Sequence, residues 1–345
     1  MTEDIGKKLT TPKGKFALEK HIKEAFENSD DGKSGISDAC AAVVAQEGSA
    51  SKKLFSSKLF LENIHFDLTY FPLKHLGYKM AAIAVSDILA MNGTPTGLGM
   101  SLGVSNRFSL EALEELMGGV RIFCKLHKVK LLQFEVNTSL LGLAASVSAF
   151  GEVMPDKMLA RKGAKENDLI CVSGDLASAY TGLILLEREK KAFEADPNTQ
   201  PDLDNYHYVL ERYLKPEPRT DIIQALAENN VMPSSMTVVA NGLAAAALHI
   251  CNASHVGCDL YEGKLPIDLL TFQTLKELDI VATTIALNGG EDYELLFTIA
   301  QKDYDSIQKI KDVSIVGYVK DYASGCNLVT NDDKLIPLTA QEFAE

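Results

Sequence analysis

The chain has 345 residues, too many for one ordinary core and suited to two domains of typical size. Its 46% hydrophobic and 23% charged residues exclude disordered, collagen-like and fibrous classes. With 47 acidic against 34 basic residues the formal charge is −13, which argues against a general nucleic-acid or anionic-membrane binder, since both need a basic face.

Residues 15–28 read as an amphipathic helix, with Phe16, Leu18, Ile22 and Phe26 near helical spacing. Short strands are expected at 41–45 and 54–61. Pro72 suits the first position of a long apolar helix that runs to about Met91 and stops at Asn92-Gly93. A strand over 97–104 and a helix over 109–126, with Ser109 as N-cap, follow. Strands are then expected at 131–136 and 142–150, an order that indicates an α/β layer rather than a helical bundle. The turn-rich segment 151–156 is the expected boundary, dividing the chain into domains 1–151 and 152–345. Beyond it come a strand over 168–173, a helix over 174–190 and a Pro/Asp/Asn-rich loop over 195–204. Helices at 206–214, 219–228 and 242–251 and a turn at 288–292 feeding a strand over 293–299 complete the reading.

Six cysteines are scattered without a CxxC pair, a pattern that predicts neither a disulfide framework nor a zinc site and suits a reducing cytoplasm. The charged N-terminal segment 1–15 lacks the apolar stretch of a signal peptide, and no apolar run approaches the ~20 residues that span a bilayer. A soluble cytoplasmic protein is expected. Residues 1–151 hold 17 Lys and Arg against 16 Asp and Glu, a net of +1, whereas residues 152–345 hold 17 against 31, a net of −14. Nearly all the acidity lies in the second half. Phosphate chemistry in an acidic chain needs bound cations, so the placement of its carboxylates matters more than their number.

Three stretches stand out. The first is His65-Phe66-Asp67-Leu68-Thr69-Tyr70-Phe71-Pro72, leading to Ser86-Asp87-Ile88-Leu89. The second is Arg161-Lys162-Gly163-Ala164, followed by Ser173-Gly174-Asp175-Leu176. The third is Asn288-Gly289-Gly290-Glu291-Asp292-Tyr293-Glu294. In this order and at these separations the chain resembles the thiamine-monophosphate kinases of the aminoimidazole ribonucleotide synthetase-like superfamily, from about residue 15 to the C-terminus. The resemblance implies an α/β (α+β) fold of two domains, with the N-terminal sheet forming a homodimer interface and a C-terminal α/β domain on the substrate side. It also implies ATP and Mg2+ as cofactors and transfer of the γ-phosphoryl of ATP to thiamine phosphate, giving thiamine diphosphate. Neither a nucleic-acid nor a membrane partner is expected.

By the same resemblance the metal ligands fall at Asp38, Ser57, Asp87 and Glu135, the nucleotide contacts at Phe134, Glu135 and Arg161, and the thiamine-phosphate contacts at His65 and Glu291. Met117 falls near the nucleotide, although core filling is the better account of it. The metal pattern is the part kept worst. Ala39, Lys58, Val238 and Asn241 stand where the family has acids, Ala240 replaces its serine, and Gln133-Phe134 replaces a glycine pair that lets backbone approach phosphate. Lys58 reads either as a solvated strand-edge lysine or as a cation replacing a lost metal. His65 reads as a strand cap or a substrate contact, Arg161 as a surface ion pair or a phosphate contact, and 288–292 as hairpin chemistry or a pocket wall. Two functions follow from the sequence. One is a thiamine-phosphate kinase. The other is a weakly active or inactive relative that keeps the dimer and binds a phosphate-containing ligand or acts as a scaffold.

Overall fold

The structure, a computed structural model, describes residues 21, 41–44, 50–198 and 200–343. Most of the expected helix at 15–28, and Asp38 and Ala39, lie outside the described residues. The N-terminal layer comprises β1 (Ala42–Val44), β2 (Lys52–Leu61), α1 (Leu73–Leu89), β3 (Thr94–Val104), α2 (Leu110–His127), β4 (Lys130–Thr138) and β5 (Leu143–Val153). Its sheet runs β1-β2-β5-β3-β4, with β5 antiparallel to both neighbours and β4 paired in parallel with β3 along one edge. The alternation of β5, with Leu143, Ala145, Val147 and Ala149 buried, turns one sheet face onto α1 and α2. Pro72 serves as N-cap of α1, one position before the expected one, and Ser109 Oγ accepts the Ala112 amide 3.3 Å away as N-cap of α2. The two helices cross closely because Gly77 and Gly119 present no side chain there. A Cβ on Gly119 would lie 1.9 Å from the Lys74 carbonyl oxygen.

The C-terminal layer comprises β6 (Leu169–Ser173), α3 (Ser178–Ala195), α4 (His207–Leu214), α5 (Thr220–Glu228), β7 (Ser235–Val239), α6 (Leu243–Ser254) and β8 (Gly257–Tyr261). It continues through α7 (Leu269–Glu277), α8 (Ala282–Asn288), β9 (Glu294–Ile299), α9 (Tyr304–Ile307), β10 (Val313–Lys320), β11 (Cys326–Val329) and β12 (Leu335–Pro337). Seven strands form one sheet in the order β12-β11-β8-β10-β6-β9-β7. The strands β7, β8 and β10–β12 and the helices α7–α9 go beyond the sequence expectation. The helix expected from residue 174 starts instead at Ser178, because Gly174 and Ala177 both take left-handed backbone (φ 56° and 73°). The expected division after residue 151 falls inside β5, two residues before its end at Val153. The layers share packing: Ala179 and Leu186 of α3 and Tyr213 of α4 belong to the same apolar cluster as α1.

Candidate phosphoryl-transfer site

Fourteen consecutive residues of α1, Leu76 to Leu89, are buried, including two charged ones, Lys79 and Asp87. Each therefore needs a partner. Asp87 faces β2, where Lys58 Nζ lies 2.7 Å from its Oδ2 and Ser56 Oγ donates to the same oxygen at 2.7 Å. The Lys58 ammonium thereby neutralises the carboxylate of the long helix. Strand alternation sends Ser57 to the opposite face, where it is exposed and accepts a 3.2 Å bond from Ser148 Oγ. Glu135 sits on that face too. In register it pairs with Ser101, which pairs with Ser146, which pairs with Leu59, one residue out of phase with Lys58. Asn137 Nδ2 donates to Glu135 Oε1 at 2.9 Å. Within one chain the expected ligands Asp87, Ser57 and Glu135 thus do not converge.

Lys79 lies just over two turns before Asp87 on the same helix. Its ammonium contacts Glu291 Oε2 at 2.7 Å, donates to the Tyr213 carbonyl at 2.8 Å and sits 3.8 Å from the centre of the Tyr213 ring. Burial holds its pKa below the ordinary lysine value, and Glu291 partly offsets that. Glu291 has left-handed backbone (φ 66°) and its amide donates to the Ala240 carbonyl at 2.8 Å. Segment 238–241, where the sequence reading expects two acids, is thereby stitched to the third motif. Val238 is half-buried in β7 and Asn241 is exposed. Gly290 is required there, since a Cβ would approach the Ala240 oxygen to 2.5 Å at φ 80°.

The second and third motifs also meet. Glu294, wholly buried, binds Arg212 Nη2 at 2.8 Å, Arg219 Nη1 at 2.6 Å and the Ser173 hydroxyl. Asp175 accepts from Tyr208 at 2.5 Å and from Ser178, while Arg212 also donates to the Asp175 carbonyl at 3.0 Å. Asp292 accepts the Ala177 and Ala179 amides at 3.1 and 3.3 Å, capping α3 from another element. Burial lifts its pKa to about 7, against the lowering pull of Arg212 and the two amides. Lys79, Arg212 and Arg219 were not anticipated, because nothing in their local spacing marks partners that lie 75 to 212 positions away in sequence.

The remaining positions are more peripheral. His65 Nδ1 accepts the Leu61 amide at 3.0 Å and so closes the end of β2, the cap reading of the sequence. Arg161 Nε donates to Thr237 Oγ1 at 3.3 Å, beside Val238. Met117 lines an open cavity of about 620 Å³ with Arg121, Cys124 and Leu131, on the α2 side of β4, where Phe134 is 47% exposed.

Residues 37–153 match the family model for the AIR synthase related protein, N-terminal domain. Thiamine-monophosphate kinase of Buchnera aphidicola subsp. Acyrthosiphon pisum is 30% identical over 81% of this chain and 83% of its own length. The chain belongs to the thiamine-monophosphate kinase family. The Bacillus subtilis kinase is 27% identical over 83% of this chain and 85% of its own. The solved structure of AaThiL complexed with AMPPCP and TMP superposes with a TM-score of 0.79 over 94% of each chain at 25% identity. The family assignment accounts for the two-layer α/β architecture and the order of the motifs. No helix among the described residues is long and apolar enough to cross a membrane.

Proposed function

We propose that this member of the thiamine-monophosphate kinase family has lost most or all magnesium-dependent phosphoryl transfer while keeping the fold and the homodimer. The observation that carries the reading is the Lys58–Asp87 pair: the carboxylate retained on the long helix is already neutralised, at 2.7 Å, by an amine standing where the family has an acid. Phosphoryl transfer between ATP and a phosphate acceptor brings two polyanions together, and in the family divalent cations offset their repulsion. Among the described residues the expected ligands do not fit magnesium, which is held through carboxylate, water and phosphate oxygens in a near-octahedral shell. Asp87 is paired, Glu135 lies on the other sheet face, and Val238, Ala240 and Asn241 supply no carboxylate. One ammonium on a flexible stem replaces neither the charge nor the geometry of the ion.

Elements that bind ligand in this reading are better kept. The AMPPCP and TMP complex of AaThiL supports ATP and thiamine phosphate as the ligand class. Phe134, Glu135 and Arg161 would then face nucleotide, and His65 and Glu291 thiamine phosphate, with Glu291 offering a Lys79-neutralised pair rather than a bare acid. The homodimer reading rests on the face of the N-terminal sheet that carries no helix among the described residues, where Leu59 and Phe150 are exposed, and on the apolar edge of β4 with Leu132, Phe134 and Val136.

A coupled assay with ATP, Mg2+ and thiamine monophosphate tests the proposal. Loss of preorganised charge commonly costs ~100-fold or more, so turnover far below ordinary enzyme rates is expected, and turnover near 1 s⁻¹, about the usual range, overturns it. Calorimetric titration with ATP should give the same heat with magnesium as with EDTA.

A further inference from the structure

Three of the cysteines that are far apart in sequence meet in the C-terminal layer. Cys251 lies in the last turn of α6, Cys258 at the start of β8 and Cys326 at the start of β11, and their sulfur atoms all lie within 4.8 Å of one another. The sheet order explains the meeting. β8 and β11 are parallel neighbours, with Cys258 directly across from Cys326, so alternation points both side chains to one face. α6 packs on that face and supplies Cys251. The neighbouring polar residue of β8, Asp259, points the other way and is engaged by Lys320 at 3.0 Å and Asn327 at 3.2 Å.

The backbone around the cluster is held from several sides. The Cys258 amide donates to the Gly325 carbonyl at 3.0 Å, and the Val256 amide to the Cys251 carbonyl at 3.0 Å. His255, just after α6, stacks on Tyr322, four residues before Cys326, with ring centres 3.9 Å apart. The two segments that deliver Cys251 and Cys326 are therefore clasped independently of the sulfurs. Cys251 and Cys258 are buried and Cys326 is half-buried, which leaves one open approach.

We propose that Cys251, Cys258 and Cys326 form a binding site for a thiophilic divalent cation of the zinc class. Thiolates on a tetrahedral zinc with bonds of ~2.3 Å stand about 3.8 Å apart, so sulfurs within 4.8 Å need to contract by no more than about 1 Å. Three sulfur ligands select soft metals over the magnesium of phosphate chemistry. The half-buried Cys326 side leaves the fourth position to water or an incoming ligand. A bound ion would tie α6, β8 and β11 together across one end of the C-terminal sheet. The scattered spacing carries no zinc pattern because topology, not local sequence, brings these sulfurs together, and this site is independent of the phosphoryl-transfer reading.

Cadmium tests the assignment directly, because cadmium–thiolate bonds absorb in the ultraviolet. The full chain is prepared reduced, with Cys40→Ser and Cys124→Ser removing the cysteines that could compete from outside the cluster. One equivalent of Cd2+ should give a saturating thiolate charge-transfer band, and protein preloaded with Zn2+ should require more Cd2+ to reach it, because the two ions compete for the same sulfurs. Cys326→Ser should weaken binding by more than ~100-fold, above the range for loss of a supporting group alone, and Cys258→Ser should do the same. Cys326 is half-buried, so its variant keeps the test valid if Cys258→Ser does not fold. Absence of the band at one equivalent, or a band unchanged by Cys326→Ser, overturns the proposal.

Discussion

The two layers bury charge in opposite ways. In the N-terminal layer Asp87 has one cationic partner, Lys58, whose side chain is still 35% exposed. In the C-terminal layer Glu294 is fully buried between two guanidinium groups and a hydroxyl, while Asp292 beside it caps a helix. The contrast separates architecture from chemistry in a shared family pattern. The Glu291–Glu294 block is woven into the fold: Glu291 pairs with α1, Asp292 holds α3 and Glu294 anchors α4 and the start of α5. At position 58 a single amine neutralises Asp87 from a partly exposed strand position, with no further element anchored by the pair among the described residues.

The largest break in this comparison should come from Glu294→Gln. It leaves Arg212 and Arg219 buried without their shared carboxylate, and loss of one partner from a buried pair costs about 3–5 kcal/mol. Chemical denaturation should show a loss of that size, and a loss below about 1 kcal/mol would mean the network is not structural.

Asp292 should reveal itself through pH. An acid raised from 3.8 to about 7 in the folded chain binds more protons folded than unfolded between those values. Its contribution to stability is therefore complete below about pH 4 and lost as pH climbs through 7, by up to ~4 kcal/mol. Asp292→Asn keeps one oxygen for the α3 amides and removes the titration. Thermal unfolding at pH 5 and pH 7.5 should differ less in the variant than in the parent chain, whatever its absolute stability, and an unchanged difference would assign the slope to other groups.

These same residues show where sequence reasoning works. Local signals were legible: Ser109 caps α2, the alternation of β5 marks a half-buried strand, and Asn92, left-handed at φ 57°, follows the end of α1. The short strands β8 and β9 were harder, because strands buried on both faces show no alternation; only the turn before β9 betrayed it. The start of α3 was misplaced because its cap, Asp292, comes from 115 positions away. At the candidate site the sequence identified Asp87 and the substitution at Lys58, yet not that the two touch. It placed Ser57 among the metal ligands, whereas the serine that reaches Asp87 is Ser56, and telling adjacent serines apart requires knowing which sheet face carries α1.

The smallest effect is also the sharpest. Lys58→Asp places an acid beside Asp87, so two carboxylates replace an ion pair. Because Lys58 is partly exposed, solvent screening limits the loss to about 1 kcal/mol, or roughly 2–4 °C in the unfolding midpoint measured in EDTA. Magnesium should recover that loss in the variant by bridging the two acids, whereas the parent midpoint should be unchanged by the ion. Lys58→Met separates the two causes: it removes the amine without adding an acid and should show a loss with no magnesium response. If the parent chain itself gains several degrees on magnesium addition, the amine does not exclude the ion, and Asp87 ligates metal despite its neighbour.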